Sequence, residues 1–300
     1  MKNKEFKFNV IAGLPRSSST LLCQILSQDG TNFVTPTSPI DSVLRGLRTM
    51  FSQNVSFRTQ NRLEIYEDFR LGMNGFLEGY FSRHSDKPVF DKSRGWLNSM
   101  QILDAVRGNK DTKIIWCWRN ISDIVGSIEK AYQDTILLEN MDESAGISFN
   151  TLDERISIYC NDSGIIGSCI IALRNAIEQG FGDRIMFVQY YELCTNPNKV
   201  LSDIHKFCGL EPHIYDFEKI TQVTHENDEI YNHKFKHFVQ EGKLQWHQSS
   251  SILPQHYIDA IQQRFAPFYE LVLNGNKNPL LRIETQPTNE TIQKPNPFAI

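Results

Sequence analysis

Residues 13–20 read GLPRSSST, in which a proline–arginine pair is followed by four consecutive hydroxyl side chains, Ser17 to Thr20. The segment follows the apolar run Phe8–Ala12 and leads into a stretch that reads as a helix from Ser19. A strand that turns into a helix at Gly13 gathers backbone N–H groups and the positive end of a helix dipole around one point, which makes an anion site. Arg16 adds a planar fork for a pair of phosphate or sulfate oxygens, and the hydroxyls of Ser17, Ser18, Ser19 and Thr20 add neutral donors. A nucleoside-triphosphate loop, GxxxxGK[ST], would need Gly at 18 and Lys at 19, and both positions are serine. The lysine that contacts β- and γ-phosphates is missing, which disfavours an ATPase or a kinase. The same letters also describe an ordinary strand–turn–helix corner with a serine N-cap, and the loop alone supports both readings equally.

A second set of residues follows the apolar run KIIWCW at 113–118: Arg119, then NISDIVGS ending in Ser127. Arg119 falls at the carboxyl end of an expected central strand, where ligands of open parallel sheets bind. Read alone, it is equally a surface arginine ahead of an N-cap at Ser122. Asp41 in TPTSPIDS, His84 in SRHSDKP and Asp91 in DKSRGW carry general-base chemistry. For His84 and Asp91 a solvated or strand-edge role is the stronger reading. The eight histidines do not fall at metal-ligand spacings, so no metal is expected. Several of them lie in HKFKHFVQEGKLQWH at 233–247, which reads as an amphipathic helix with basic residues near the site.

The frame that would position these residues is an α/β sheet. Phe8–Ala12, Lys113–Trp118 and Arg184–Gln189 are continuously apolar, which suits parallel strands covered on both faces, and KPVFDKS at 87–93 is a shorter fourth. Segments that read as helices follow at Ser19–Ser27, Ser122–Tyr132 and Pro197–Cys208. Strand-then-helix repetition predicts a three-layer α/β/α fold with a central, mainly parallel sheet, a P-loop-like strand–loop–helix and a helical cap. Residues 39–82 and 129–180 read as helical walls, and 133–150 as a loop or mobile cap. One domain is expected over 1–282, followed by a Pro-, Asn- and Thr-rich tail over 283–300.

Composition narrows the function classes. The chain of 300 residues is 40% hydrophobic, enough to fill a sizeable core. A net charge of −4 argues against a general affinity for nucleic acid. No run of about eighteen apolar residues occurs, so no membrane span is expected, and the N-terminus does not read as a signal peptide. Six cysteines without a CxxC pair fit buried thiols in a reducing cytoplasm.

Taken together, GLPRSSSTLL and RNISDIVGS resemble the two signature motifs of the sulfotransferases that use 3′-phosphoadenosine 5′-phosphosulfate (PAPS). In that family the first motif, PRSGST or PKSGTT, wraps the 5′-phosphosulfate, and the second, RNPxDxxxS, holds the 3′-phosphate. The resemblance implies that Pro15, Arg16, Ser17, Ser18, Ser19, Thr20 and Leu21 bind the phosphosulfate, and that Arg119 and Ser127 bind the 3′-phosphate. Asp123 matches the aspartate of the second motif. FVQYYELCTNPNKVLSDIHKFCGLEP at 187–212 is similar to the family segment whose tyrosine borders the adenine, which puts Tyr191 or its neighbour Tyr190 in that role. DKSRGW at 91–96 is similar to a strand end whose lysine approaches the transferred group, and VQEGKLQWHQ at 239–248 faintly resembles a late basic glycine loop, with Gly242 and Lys243. The likeness spans roughly residues 6–275 and is closer to the PRSGST-type, tyrosylprotein-like branch than to the cytosolic aryl enzymes.

The resemblance implies sulfuryl transfer from PAPS to a hydroxyl or amine, in-line and without a metal, leaving adenosine 3′,5′-bisphosphate. Arg16 and Lys92 would neutralise charge on the bridging oxygen, Ser93 would add a donor, and Asp41 would be the general base. The acceptor is a small molecule, glycan or peptide; Phe51, Phe57, Tyr66 and Trp96 hint at an apolar or ring-bearing one. The chain departs from the family at Ser18, where the family has glycine. If that position needs positive φ, a serine there is strained. A kinase-like phosphotransferase using Asp91 and Lys92, and a non-catalytic nucleotide-binding protein, are the alternatives.

Overall fold

The computed structural model describes residues 6–60, 62–133, 151–223 and 239–274. Among them five strands form one parallel sheet in the order β2-β3-β1-β4-β5: β1 (Phe8–Gly13), β2 (Phe33–Thr35), β3 (Val89–Lys92), β4 (Ile114–Trp118) and β5 (Ile185–Gln189). The chain leaves β1 toward β2 on one side and leaves β4 toward β5 on the other. The crevice of such a sheet therefore opens beyond the carboxyl ends of β1 and β4.

Alternate residues of each strand feed two cores. Val10, Ala12, Trp116 and Phe187 face one layer, with side chains from helices α2 (Ile40–Gln53), α4 (Arg62–Tyr80), α5 (Met100–Arg107) and α6 (Ile121–Gln133). Ile11, Ile115, Cys117 and Val188 face the other, with α1 (Ser19–Leu26) and the helix Pro197–Phe207. A strand apolar on both faces is what a sheet sandwiched between helical layers requires. A short α3 (Val55–Arg58) joins α2 to α4. No helix among the described residues is long and apolar enough to cross a membrane.

Gly13 shows why the first loop can leave the sheet where it does. Its φ is 145°, and a Cβ there would lie 2.1 Å from the Cys117 carbonyl oxygen. Only glycine allows β1 to run this close to β4 while Leu14 N–H donates to that same carbonyl at 3.0 Å.

One strand is added to those expected, and one expected helix is not found over its described part. The three-residue edge strand β2 carries no apolar run that a sequence pattern would detect. Residues 239–247, the described part of the expected amphipathic helix, are not helical: Gly242 exchanges backbone hydrogen bonds with Ile220 in an antiparallel bridge and has φ 115°. The expected cap at 134–150 and the tail at 283–300 lie outside the described residues.

Candidate active site

A cleft of about 1030 Å³ lies across the carboxyl ends of β3, β1, β4 and β5. All of Pro15 to Leu21 line it, together with Lys92, Arg119 and Ser127. The loop after β1 is wound tightly: Arg16 has φ 53° and Ser18 has φ 74°, both left-handed. Ser18 therefore occupies the conformation expected of a glycine, at a cost of about 1 kcal/mol. The hydroxyls do not all point at a ligand. Ser17 is buried, and its Oγ donates toward the carbonyls of Leu14 at 2.6 Å and Cys117 at 3.1 Å. Ser18 Oγ donates to the Ser17 carbonyl. These two hydroxyls stitch the loop to itself and to β4, which corrects their expected role as anion donors; backbone N–H groups, Ser19 and Thr20 remain.

The cation missing from the loop comes from the next strand. Lys92, the last residue of β3, donates from Nζ to Thr20 Oγ1 at 3.0 Å, at the start of α1. One residue earlier the strand pleat turns Asp91 inward, where it is fully buried. Its two oxygens accept from Thr35 Oγ1 and from Trp96 Nε1, each at 2.8 Å. Burial pushes its carboxyl up to about 6, against hydrogen bonds that favour the charged form. Thr35 Oγ1 also accepts from the Lys92 N–H at 3.0 Å, so Asp91 fixes β2, β3 and the following turn around the lysine. It is closed to a substrate or a magnesium ion.

Asp41 lies one wall away, buried in the first turn of α2. Its Oδ1 accepts from Ser93 Oγ at 2.7 Å and its Oδ2 from Arg45 Nη2 at 3.0 Å. Ser93 Oγ also accepts from Gly95 N–H at 3.1 Å. The Ser93 hydroxyl proton is thus committed to Asp41, and Ser93 positions that carboxylate rather than offering a donor to the transferred group. His84 stacks on Phe33 at 3.6 Å, at the opposite end of the sheet, and is no candidate base. Phe51 and Phe57 pack with Phe69, Trp96 is in the core, and Tyr66 is exposed; none of the four aromatics lines the cleft.

At the end of β4, Arg119 is 8% exposed. Its Nη2 donates to the His247 carbonyl at 2.5 Å and to Ser249 Oγ at 2.9 Å, and its guanidinium lies 4.5 Å from the Tyr190 ring centroid. Burial lowers its proton affinity, but it remains charged. Its Nε is buried without a hydrogen-bond partner among the described residues. A buried, unpartnered guanidinium N–H beside a cleft is a site for an anion. Asp123, in the first turn of α6, accepts the N–H groups of Ser249 and Ser250 at 2.9 and 2.8 Å. At Gly126 a Cβ would lie 2.2 Å from the Ser249 carbonyl oxygen, so only glycine lets the segment seat there. Asp123 and Gly126 therefore act through residues 247–250, which in turn hold Arg119.

Ser127 brings the two motifs together: Arg16 Nε donates to its Oγ at 3.2 Å across 111 residues of chain. Tyr190 lines the cleft, its hydroxyl accepting from His247 N–H at 3.2 Å, and burial pushes that phenol up to about 12. Tyr191 points away, 45% exposed and edge-to-face with Trp246. Of the two tyrosines it is Tyr190 that reaches the cleft. Lys243 lines the cleft and pairs with Glu218 at 2.9 Å, while Gly242 turns the chain beside it. The seating of residues 247–250 on Arg119 and Asp123 was not visible in the sequence, because the partners lie more than a hundred residues apart. Arg45 was within reach, since it sits one helical turn after Asp41.

The sulfotransferase domain family model matches residues 9–259, and the chain belongs to that family. No curated protein matches it by sequence. Among solved structures, the sulfotransferase domain from the curacin biosynthetic pathway superposes with TM-score 0.50 at 13% identity, covering 88% of this chain and 99% of its own. The sulfotransferase domain of the Synechococcus PCC 7002 olefin synthase gives 0.45 at 16% identity, covering 88% and 98%. Mouse sulfotransferase SULT7A1, solved with PAP, gives 0.47 at 16% identity, covering 92% and 87%. At 13% identity the first of these likenesses is one of fold.

Proposed function

We propose that this sulfotransferase takes its sulfuryl group from PAPS and passes it in-line to a hydroxyl or amine of an acceptor. The observation that carries the reading is the convergence of two motifs on one cleft, linked by the Arg16–Ser127 hydrogen bond, beside an Arg119 Nε that has no partner among the described residues. Arg119 and Ser127 hold the 3′-phosphate, Tyr190 borders the adenine, and the loop Pro15–Leu21 holds the phosphosulfate on its backbone N–H groups and Thr20. Lys243 and the turn at Gly242 close the far wall.

Sulfuryl transfer breaks the bond from sulfur to the bridging phosphate oxygen and forms one from sulfur to the acceptor oxygen. The leaving group departs as adenosine 3′,5′-bisphosphate, and the acceptor proton goes to a base. Arg16 and Lys92 stand where negative charge grows on the bridging and equatorial oxygens, and preorganised cations there lower the barrier. A phosphate leaving group assisted by two cations needs no metal. Asp41, held by Ser93 and Arg45, takes the proton. We place these parts in one domain over residues 1–282. A reducing compartment such as the cytoplasm belongs to the same proposal, supported by six cysteines that form no disulfide among the described residues.

The kinase-like alternative would need a lysine in the loop and a magnesium carboxylate. Position 19 is serine, and both Asp91 oxygens are already donated to. Calorimetry with PAPS, adenosine 3′,5′-bisphosphate and ATP with magnesium tests the reading: binding of the two 3′-phosphorylated nucleotides supports it, and binding of ATP with neither of them overturns it. Transfer of labelled sulfate to an acceptor panel separates an enzyme from a non-catalytic nucleotide-binding protein.

A further inference from the structure

The cleft holds more positive charge than its donor end uses, and the excess is all at one end. Arg119, Ser127 and Tyr190 stand over β4 and β5, and Arg16 and Lys92 over β1 and β3. Beyond Lys92, toward the β2 edge, the wall is made by the first turns of α2 and the turn Arg94–Asn98 that follows β3. Arg45 and Arg94 line the cleft there, as does Asp41. Arg45 gives Nη2 to Asp41 and its side chain is 45% exposed, which leaves its other N–H groups available. Arg94 is exposed and pairs with no carboxylate among the described residues. The remaining lining of this wall is polar, with Thr37, Ser38 and Ser42, and its apolar contact comes from Ile165.

We propose, on the sulfotransferase reading above, that the acceptor is a hydroxylated acid: its carboxylate or other oxyanion is held by Arg94 and Arg45 while its hydroxyl meets Asp41. Two planar forks beside a buried carboxylate suit a ligand with one acidic group to clamp and one proton to give up. Among the described residues, a neutral aryl alcohol would meet a wall of guanidinium, hydroxyl and backbone groups with Ile165 as its apolar contact, since Phe51, Phe57, Tyr66 and Trp96 do not line the cleft. Such a clamp would select against neutral analogues, because a charge-assisted pair is lost when the acid is masked.

The test uses matched pairs that differ only in charge: 3-hydroxybutyrate with 3-hydroxybutyramide, glucuronate with glucuronamide, and 4-hydroxyphenylacetate with its amide. Transfer from labelled PAPS is measured for each, and binding of each to the complex with adenosine 3′,5′-bisphosphate is measured in parallel. The proposal expects at least one acid to exceed its amide by about tenfold or more in kcat/KM or in affinity. Arg94→Ala should bring that ratio close to one while the calorimetric affinity for PAPS is unchanged, and Arg94→Glu should favour the amide. If the protein binds PAPS yet no acid exceeds its amide in transfer or in binding, the acceptor proposal is overturned and the donor reading stands. If Arg94→Ala weakens PAPS and leaves the acid preference intact, the arginine belongs to the donor and the proposal is also overturned. Failure to bind PAPS at all would instead remove the reading on which it rests.

Discussion

Arg16 and Arg119 stand at the ends of neighbouring strands and are framed in opposite ways. Arg16 is exposed, sits on a left-handed backbone and donates a 3.2 Å hydrogen bond to Ser127. Arg119 is buried, lies against Tyr190 and is tied to a carbonyl and a hydroxyl of a distant segment. The first arrangement suits a group that follows charge as it moves; the second suits a fixed address with one donor held open. The difference teaches that two motifs with similar letters serve different physical ends. The loop stores strain to aim backbone N–H groups, whereas the β4 end invests in buried hydrogen bonds to hold one cation still.

The largest effect should fall on the reacting side. Lys92→Ala removes the cation at the start of α1 and should lower kcat by about 100-fold or more, with a much smaller change in PAPS affinity. Steady-state kinetics beside calorimetry checks this, and equal losses in both would make Lys92 a binding residue. Next comes the support beneath that side. The Asp91 carboxyl binds its proton up to about pH 6 in the folded protein and releases it lower in the unfolded chain. The folded state therefore holds more protons between about pH 4 and 6, and this group's contribution to stability falls as pH rises through that window, by about 3 kcal/mol. Urea unfolding across that range should show a smaller decline for Asp91→Asn than for the parent.

On the address side, Asp123→Ala leaves two backbone donors without their acceptor and should destabilise the fold by about 2–3 kcal/mol. It should weaken PAPS too, because residues 247–250 position Arg119. A variant that loses stability yet binds PAPS normally would uncouple the clamp from the address. The smallest effect is at Ser18, where Ser18→Gly relieves the left-handed backbone and should raise the urea midpoint by the equivalent of about 0.5–1 kcal/mol. A fall would mean that the serine side chain contributes more to the loop than its backbone strain removes.

The contrast also separates what the sequence could tell from what it could not. β1, β4 and β5 were legible because strands buried on both faces are continuously apolar, and both motifs were legible because a strand end and the helix after it are local. Three-residue β2 has too few positions to show a pattern. The stretch at 239–247 looks amphipathic, but its path is set by the bridge from Gly242 to Ile220, a tertiary pairing that outweighs helical periodicity. Tyr190 and Tyr191 are indistinguishable by type; the turn out of β5 buries one and exposes the other. Trp96 is an aromatic near a motif, yet its indole N–H is taken by buried Asp91, which draws it into the core.

The measurement that bears most directly on the central claim is calorimetry of the parent and Arg119→Ala with PAPS and with adenosine 5′-phosphosulfate, which lacks the 3′-phosphate. The account predicts that Arg119→Ala weakens PAPS by about 10- to 100-fold and adenosine 5′-phosphosulfate by far less. Equal losses for the two nucleotides would contradict it and remove Arg119 from the 3′-phosphate.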